Sequence, residues 1–268
     1  MTSAHNRRAW DDRAAKGQRF TQPARDQDFL DPLGKVDQLG WLGGDIRGKS
    51  LLCLAAGGGK HGPLYAAAGA AVTVVDLSPA MLELDRQVAA ERRLPLRTVE
   101  ASMEDLSMLA AAEFDIVIHP VSTCYVPDVA PVYREVARVT RGGGLYISQH
   151  KSPTSLQAAV EPSARGFELT EPYYREGPLP TVVGSPHREE GTLEYLHRWE
   201  DLLGLLCRAG FVIEDFVEPL HARLDAQYGS FEHRSRWIAP YLRLKARRSG
   251  SGASPPAAKA IVLQTLTD

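Results

Sequence analysis

The sequence predicts an α/β chain built on a doubly wound, mostly parallel sheet, with a helical cap at its N-terminus. Three observations carry that expectation. Residues Leu51 to Asp76, LLCLAAGGGKHGPLYAAAGAAVTVVD, read as strand, glycine loop, helix and strand. Their apolar runs lack alternation of polar residues, as strands covered on both faces do. Strands and helices then alternate strictly to about residue 150, the pattern of right-handed parallel crossovers.

Taken in order, residues 1–49 mix charges (Arg7, Arg8, Asp11, Asp12, Arg13) with Trp10, Phe20, Phe29, Leu33, Leu39 and Trp41, which suits a helical cap lying on the domain that follows. Such a cap either covers a sheet edge or acts as a lid, with Trp10 and Phe20 as contacts. The core spans 50–150. Its first strand ends in Gly57, Gly58 and Gly59, which permit a tight turn with backbone close to a ligand. The crossover helix runs from about Lys60 to Gly69. VTVVD forms the second strand and ends in Asp76, where a carboxylate can accept from ribose hydroxyls.

Ser78 and Pro79 supply an N-cap hydroxyl and a proline at the first helical position, starting a helix that runs to about Arg93. LRTVEA forms a third strand, SMEDLSML a brief helical turn, and FDIVIH, Phe114 to His119, a fourth strand stopped by Pro120. Val129, Val132, Tyr133, Val136 and Val139 follow Asp128 at helical spacing, and Leu145 to Gln149 forms the fifth strand.

Residues 151–196 break the rhythm with prolines and no clear period, as lid or substrate insertions do. A closing amphipathic helix from His197 to Ala209 and two strands, FVIEDFVEP and WIAPYLRLKARR, complete the core to 248 as an antiparallel pair. Residues 249–268, with SGSGASPPAAK, read as a flexible tail.

Composition narrows the function. The chain has 268 residues, 44% hydrophobic and 24% charged, with a net charge of -2 and scattered arginines, which gives no electrostatic case for nucleic acid. No apolar run is long enough to cross a bilayer and MTSAHNRRAWDDRAA lacks the apolar core of a signal peptide, so the expected compartment is the cytoplasm. Cys53, Cys124 and Cys207 have no C-x-x-C spacing, and the eight histidines form no metal motif.

Gly57, Gly59 and Gly62 satisfy G-x-G-x-x-G, a pattern short enough to suit a nicotinamide cofactor as well. The antiparallel ending and the absence of a Y-x-x-x-K pair after strand 4 count against that oxidoreductase alternative. Over residues 50–248 the chain resembles the class I S-adenosylmethionine-dependent methyltransferases, in their small-molecule branch. LLCLAAGGGKHGPLYAAAGA is similar to that family's first motif, in a CLAxGGG variant, VTVVDLSPAML to its second, FDIVIHPVS to its fourth and VARVTRGGGLYIS to its strand-5 motif. HRWEDLLGLLCRAGFVIEDFVEP is similar to its C-terminal helix and strand.

The resemblance implies a Rossmann-like sheet of seven strands in the order 3-2-1-4-5-7-6, with strand 7 antiparallel, and S-adenosyl-L-methionine as cofactor. It implies that Ala55, Ala56 and Gly57 to Gly59 approach the methionine part, that Asp76 takes the ribose hydroxyls, and that Leu77 lines the adenine beside Ser102 and Met103. His119 and Pro120 would lie near the sulfonium methyl. The family's usual acidic residue is replaced here by Cys53 and its first glycine by Ala55, leaving backbone carbonyls near Ala55 and His119 to hold the ammonium group. A member that binds the cofactor without catalysis is a further alternative.

Methyl transfer needs a base only where the acceptor must lose a proton. His150, His197 and His119 are the candidates, since imidazole titrates near neutral pH. Tyr125, Tyr173 and Tyr174 are candidate acceptor contacts. The acceptor is expected to be a small metabolite, natural-product or quinone-like, and the chain a monomer or homodimer.

Overall fold

A computed structural model describes residues 2–250. Seven strands form one sheet in the order β3-β2-β1-β4-β5-β7-β6. They are β1 (Ser50–Leu54), β2 (Ala71–Asp76), β3 (Leu96–Glu100), β4 (Phe114–His119), β5 (Thr140–Lys151), β6 (Phe211–Val217) and β7 (Tyr241–Arg248). Strands β1 to β5 pair in parallel, and β7 runs antiparallel between β5 and β6. The order and the reversed strand are those the resemblance implies.

The apolar runs become central strands because both faces are covered. Leu52, Leu54, Val75, Val117 and Tyr146 pack on one side, and Leu51, Cys53, Val74 and Ile118 on the other. Helices α1 (Thr2–Ala15), α2 (Pro32–Val36), α3 (His61–Ala67), α4 (Pro79–Arg92) and α5 (Ala130–Val139) precede the insertion. Helix α4 starts where its sequence predicts, with Ser78 Oγ accepting from Met81 N at 3.1 Å, and it closes on Arg93 in the left-handed region at φ 55°.

Four local expectations are corrected. SMEDLSML forms turns and no helix. Strand β5 begins at Thr140 because Thr140 pairs with Phe114, and a register shift between Phe114 and Ile116 absorbs the glycine run within the strand. The closing helix is not uniform: a π turn at Glu200–Gly204 leads into α7 (Leu205–Arg208), while Trp199 N donates to Tyr173 Oη at 3.3 Å. The last strand begins at Tyr241, so Trp237 and Ile238 precede it. Of the expected tail, residues 251–268 lie outside the described residues.

Helix α1 packs on α4 and on the turn after β4, at the carboxyl end of the sheet. Asp11 accepts from Ser78 Oγ at 2.6 Å, and Arg7 pairs with Glu100 at 2.8 Å. The insertion, with α6 (Pro153–Gln157), covers the neighbouring strand ends: Tyr195 N donates to Cys124 O, and Leu179 and Leu196 pack with Cys124 and Leu156.

Candidate active site

The carboxyl ends of β1 and β2 meet at one carboxylate. Asp76 Oδ2 accepts from Gly57 N at 2.9 Å and Oδ1 from Ser78 N at 2.9 Å. One side chain therefore ties the glycine bend to the start of α4. Burial pushes its carboxyl above the ordinary range, against the backbone N–H groups of Ser78 and Gly57. An ionised carboxylate has about four acceptor sites, so two remain for hydroxyl donors. Strand β3 ends alongside, with Ala101 N donating to Asp76 O, and Ser102 and Met103 follow directly after it.

The glycines are used for close approach. A Cβ on Gly57 would sit 2.8 Å from Met81 Cβ and 3.0 Å from Asp76 Oδ2. Gly58 and Gly59 hold φ 121° and 73°, which residues with side chains rarely adopt. Ala55, where the family's glycine would stand, also adopts positive φ, at 48°. Residues of the cap lie against the loop from outside: Ala24 N donates to Gly59 O at 3.0 Å.

A second carboxylate holds this loop and escaped the sequence reading. Asp85 on α4 is wholly buried; its Oδ2 accepts from Gly58 N at 2.9 Å, and its Oδ1 has no partner. Burial pushes its carboxyl up to about 7, opposed by the N–H groups of Gly59 and Gly58. The available signal was its register. Met81, Leu82, Asp85, Val88 and Ala89 form one buried helical stripe, and an acid on such a stripe needs a buried partner.

The three candidate histidines end up in the wall. His119 is 0% exposed, with Nδ1 2.8 Å from Tyr146 Oη and Nε2 2.7 Å from Ser122 Oγ, and burial takes it down to about 3. His150 places Nδ1 2.8 Å from Thr123 Oγ1 and Nε2 2.8 Å from Ser148 Oγ, and burial also lowers it. Both rings have spent their nitrogens on internal hydroxyls, which leaves neither a lone pair for an acceptor's proton. His197 differs: Nε2–H donates to the carbonyls of Thr123 and Val126 at 2.9 and 3.0 Å, a pattern that leaves the lone pair on Nδ1.

The tyrosines divide. Tyr125 stands between cap and insertion, its ring edge-on to Trp10 at 5.7 Å and its hydroxyl donating to Glu189 at 2.8 Å. Tyr173 and Tyr174 pack on each other beside Trp199 and Arg198 at the approach to α7, where Tyr174 is 76% exposed. The long insertion offered no periodicity from which to place them.

Another missed group joins the insertion to the sheet. Lys151, at the carboxyl end of β5, donates to Glu189 at 2.5 Å and to Glu194 at 2.6 Å, and all three are buried. Arg188 completes the set on Glu194, so the charges balance. Burial opposes the charge on Lys151, but Glu189, Cys124 and Glu194 together outweigh it and hold the ammonium above its ordinary range. A hollow of about 500 Å³ at Gly142, Gly143 and Arg247 lies at the amino end of β5, on the opposite side from these groups.

The comparisons agree with this fold. A family model described as a methyltransferase domain matches residues 52–148. The uncharacterized methyltransferase YbaJ of Bacillus subtilis (strain 168) is 34% identical over 230 residues, covering 80% of this chain and 89% of that protein. A putative S-adenosylmethionine-dependent methyltransferase structure from Listeria monocytogenes has a TM-score of 0.63 at 20% identity, covering 81% of this chain and 98% of that one. The ubiquinone biosynthesis O-methyltransferase of Bordetella pertussis (strain Tohama I) is 29% identical over 128 residues, 46% of this chain and 53% of that protein.

Proposed function

Because the chain belongs to the class I S-adenosylmethionine-dependent methyltransferases, we propose that its acceptor is a small metabolite, natural-product or quinone-like, methylated by in-line displacement. Bound S-adenosylmethionine supplies an electrophilic methyl group on a sulfonium sulfur. The observation that carries the reading is the Asp76 carboxylate, which joins the glycine bend to the neighbouring strand end with acceptor capacity to spare.

In this reading Asp76 accepts from the ribose hydroxyls, and Gly57 to Gly59, Ala55 and Ala56 bring backbone against the methionine part. The Ala55 and His119 carbonyls receive the ammonium group, a role in which His119 acts through its backbone. Leu77, Ser102 and Met103 bound the adenine, and Pro120 borders the methyl. Helix α1, held by Asp11 on Ser78, excludes water from the crevice. The protein's main contribution to rate is alignment of acceptor, methyl and sulfur.

His197 holds the proton of an ionisable acceptor on Nδ1, while Tyr125 frames the acceptor side. The sequence likeness to the ubiquinone biosynthesis O-methyltransferase supports a small acceptor. The protein works in the cytoplasm, and its acceptor is not a nucleic acid.

Calorimetry with S-adenosylmethionine, S-adenosylhomocysteine and NAD, followed by mass-spectrometric screening of quinol and phenol acceptors for added methyl groups, tests this reading. Binding of both sulfur ligands, with no heat from NAD and a methylated product, is expected. Sulfur-ligand binding with no product across the screen would leave a binding protein, and NAD binding alone would refute the assignment.

A further inference from the structure

A second group of polar atoms lies where β5 meets β7. His187 is 7% exposed, and both of its ring nitrogens are buried without a hydrogen-bond partner. Its ring stacks on Phe231, with centroids 5.3 Å apart and planes at 28°. His221 stands edge-on to Phe231 at 5.4 Å and to Tyr241 at 5.5 Å, and its Nε2 is also buried and unpartnered. Tyr241 opens β7 opposite Lys151, so the cluster sits over the carboxyl end of β5. Buried polar atoms in folded proteins nearly always have partners, and three orphans in one aromatic cluster point to a partner that comes from outside the chain.

Charge identifies the partner's sign. Arg234 is 1% exposed, yet its guanidinium donates only to Ser155 Oγ and to the carbonyls of Ser155, Ala158 and Ala159. Arg19 donates to Pro186 O and lies 5.9 Å from the Phe231 ring centre; Arg243 donates to Gln149 Oε1. Neither these two nor Arg234 has a carboxylate within salt-bridge distance among the described residues. Lys151, by contrast, is matched by Glu189 and Glu194, and Glu232 is the carboxylate whose charge reaches His221. A buried cation lacking a counter-ion is costly to hold, and an incoming anion offsets that cost. Burial, followed by Arg234, Lys151 and Arg19, takes His187 down to about 4, so its ring is neutral at pH 7 and presents one N–H, and burial also lowers His221.

A cleft of about 330 Å³ opens between cap and insertion, its lining including Arg19, Glu189 and Glu190 as well as Pro186 and Arg188, the residues on either side of His187.

We infer that His187 and His221 bind the carboxylate of a flat, conjugated organic acid, with Arg19, Arg234 and Arg243 supplying the opposing charge and Phe231 and Tyr241 flanking its plane. This carboxylate anchors the methyl acceptor, a role that rests on the methyl-transfer reading; the anion site itself does not.

The test titrates the enzyme, free and saturated with S-adenosylhomocysteine, with salicylate, using its fluorescence and calorimetry. Cyclohexanecarboxylate keeps the charge without the plane, and salicylamide keeps the plane without the carboxylate. Salicylate is expected to bind at least tenfold more tightly than either. His187→Phe and His221→Phe keep a ring and remove the orphaned nitrogens, so each should weaken salicylate at least tenfold without lowering Tm or changing S-adenosylhomocysteine affinity. If salicylate fails to bind a protein that binds S-adenosylhomocysteine, binds no better than its two analogues, or binds both variants as well as wild type, the inference is overturned and methyl transfer stands. If salicylate binds as expected but S-adenosylhomocysteine does not, the anion site stands and the methyl-transfer reading falls.

Discussion

Asp85 gives the sharpest prediction because its cost follows from its position. The side chain is wholly buried, one oxygen holds Gly58 N–H, and the other oxygen has no partner. Its carboxyl moves from 3.8 in the unfolded chain to about 7 in the folded one. For a carboxyl raised on folding, the folded state binds the extra proton, so stability is greatest below the unfolded value and falls as pH rises toward and through 7. Three pH units between the two states correspond to about 4 kcal/mol lost at pH 8, of which about 2–3 kcal/mol is lost between pH 5 and pH 8. Asp85→Asn keeps an acceptor for Gly58 N–H and cannot ionise. Urea unfolding of wild type and variant at pH 5, 6, 7 and 8 reads the difference directly. The variant should gain on the wild type by about 2–3 kcal/mol from pH 5 to pH 8; parallel curves across that range would refute the argument.

Three further outcomes follow from other contacts. Asp76→Ala should weaken S-adenosylhomocysteine binding by at least about 1 kcal/mol through lost hydrogen bonds, and unchanged calorimetric affinity would contradict the ribose role. Lys151→Met leaves Glu189 buried without its cation and Glu194 with Arg188 alone, and should cost about 3 kcal/mol in urea unfolding at pH 7; a loss below about 1 kcal/mol would show the pair to be solvated. Ala55→Gly removes a side chain from φ 48° and should stabilise by up to about 1 kcal/mol, a prediction undone by a lowered Tm.

How much of the site was legible depended on whether the signal was local. The glycine bend, Asp76 and the Ser78 cap are short-range features whose chemistry is written in adjacent residues, and they are close together in space. His119 and His150 were also found at strand ends. Position at a strand end does not say whether the ring faces outward, and here the hydroxyls of Tyr146, Ser122, Thr123 and Ser148 capture both rings. Those partners are fixed by packing between strand β5 and the turn after β4.

The sequence by itself determined the order of strands and helices, the reversed final strand and the place of the glycine loop, because apolar periodicity, capping residues and glycine act over a few neighbours. Only the tertiary structure decided that the cap packs on α4 and the turn after β4, that Asp85 props the loop, and that Lys151, His187, His221 and Arg234 come together near the carboxyl end of β5. Those relations join residues up to a hundred or more positions apart through burial and charge, and no local pattern along the chain encodes which buried polar atom is left without a partner.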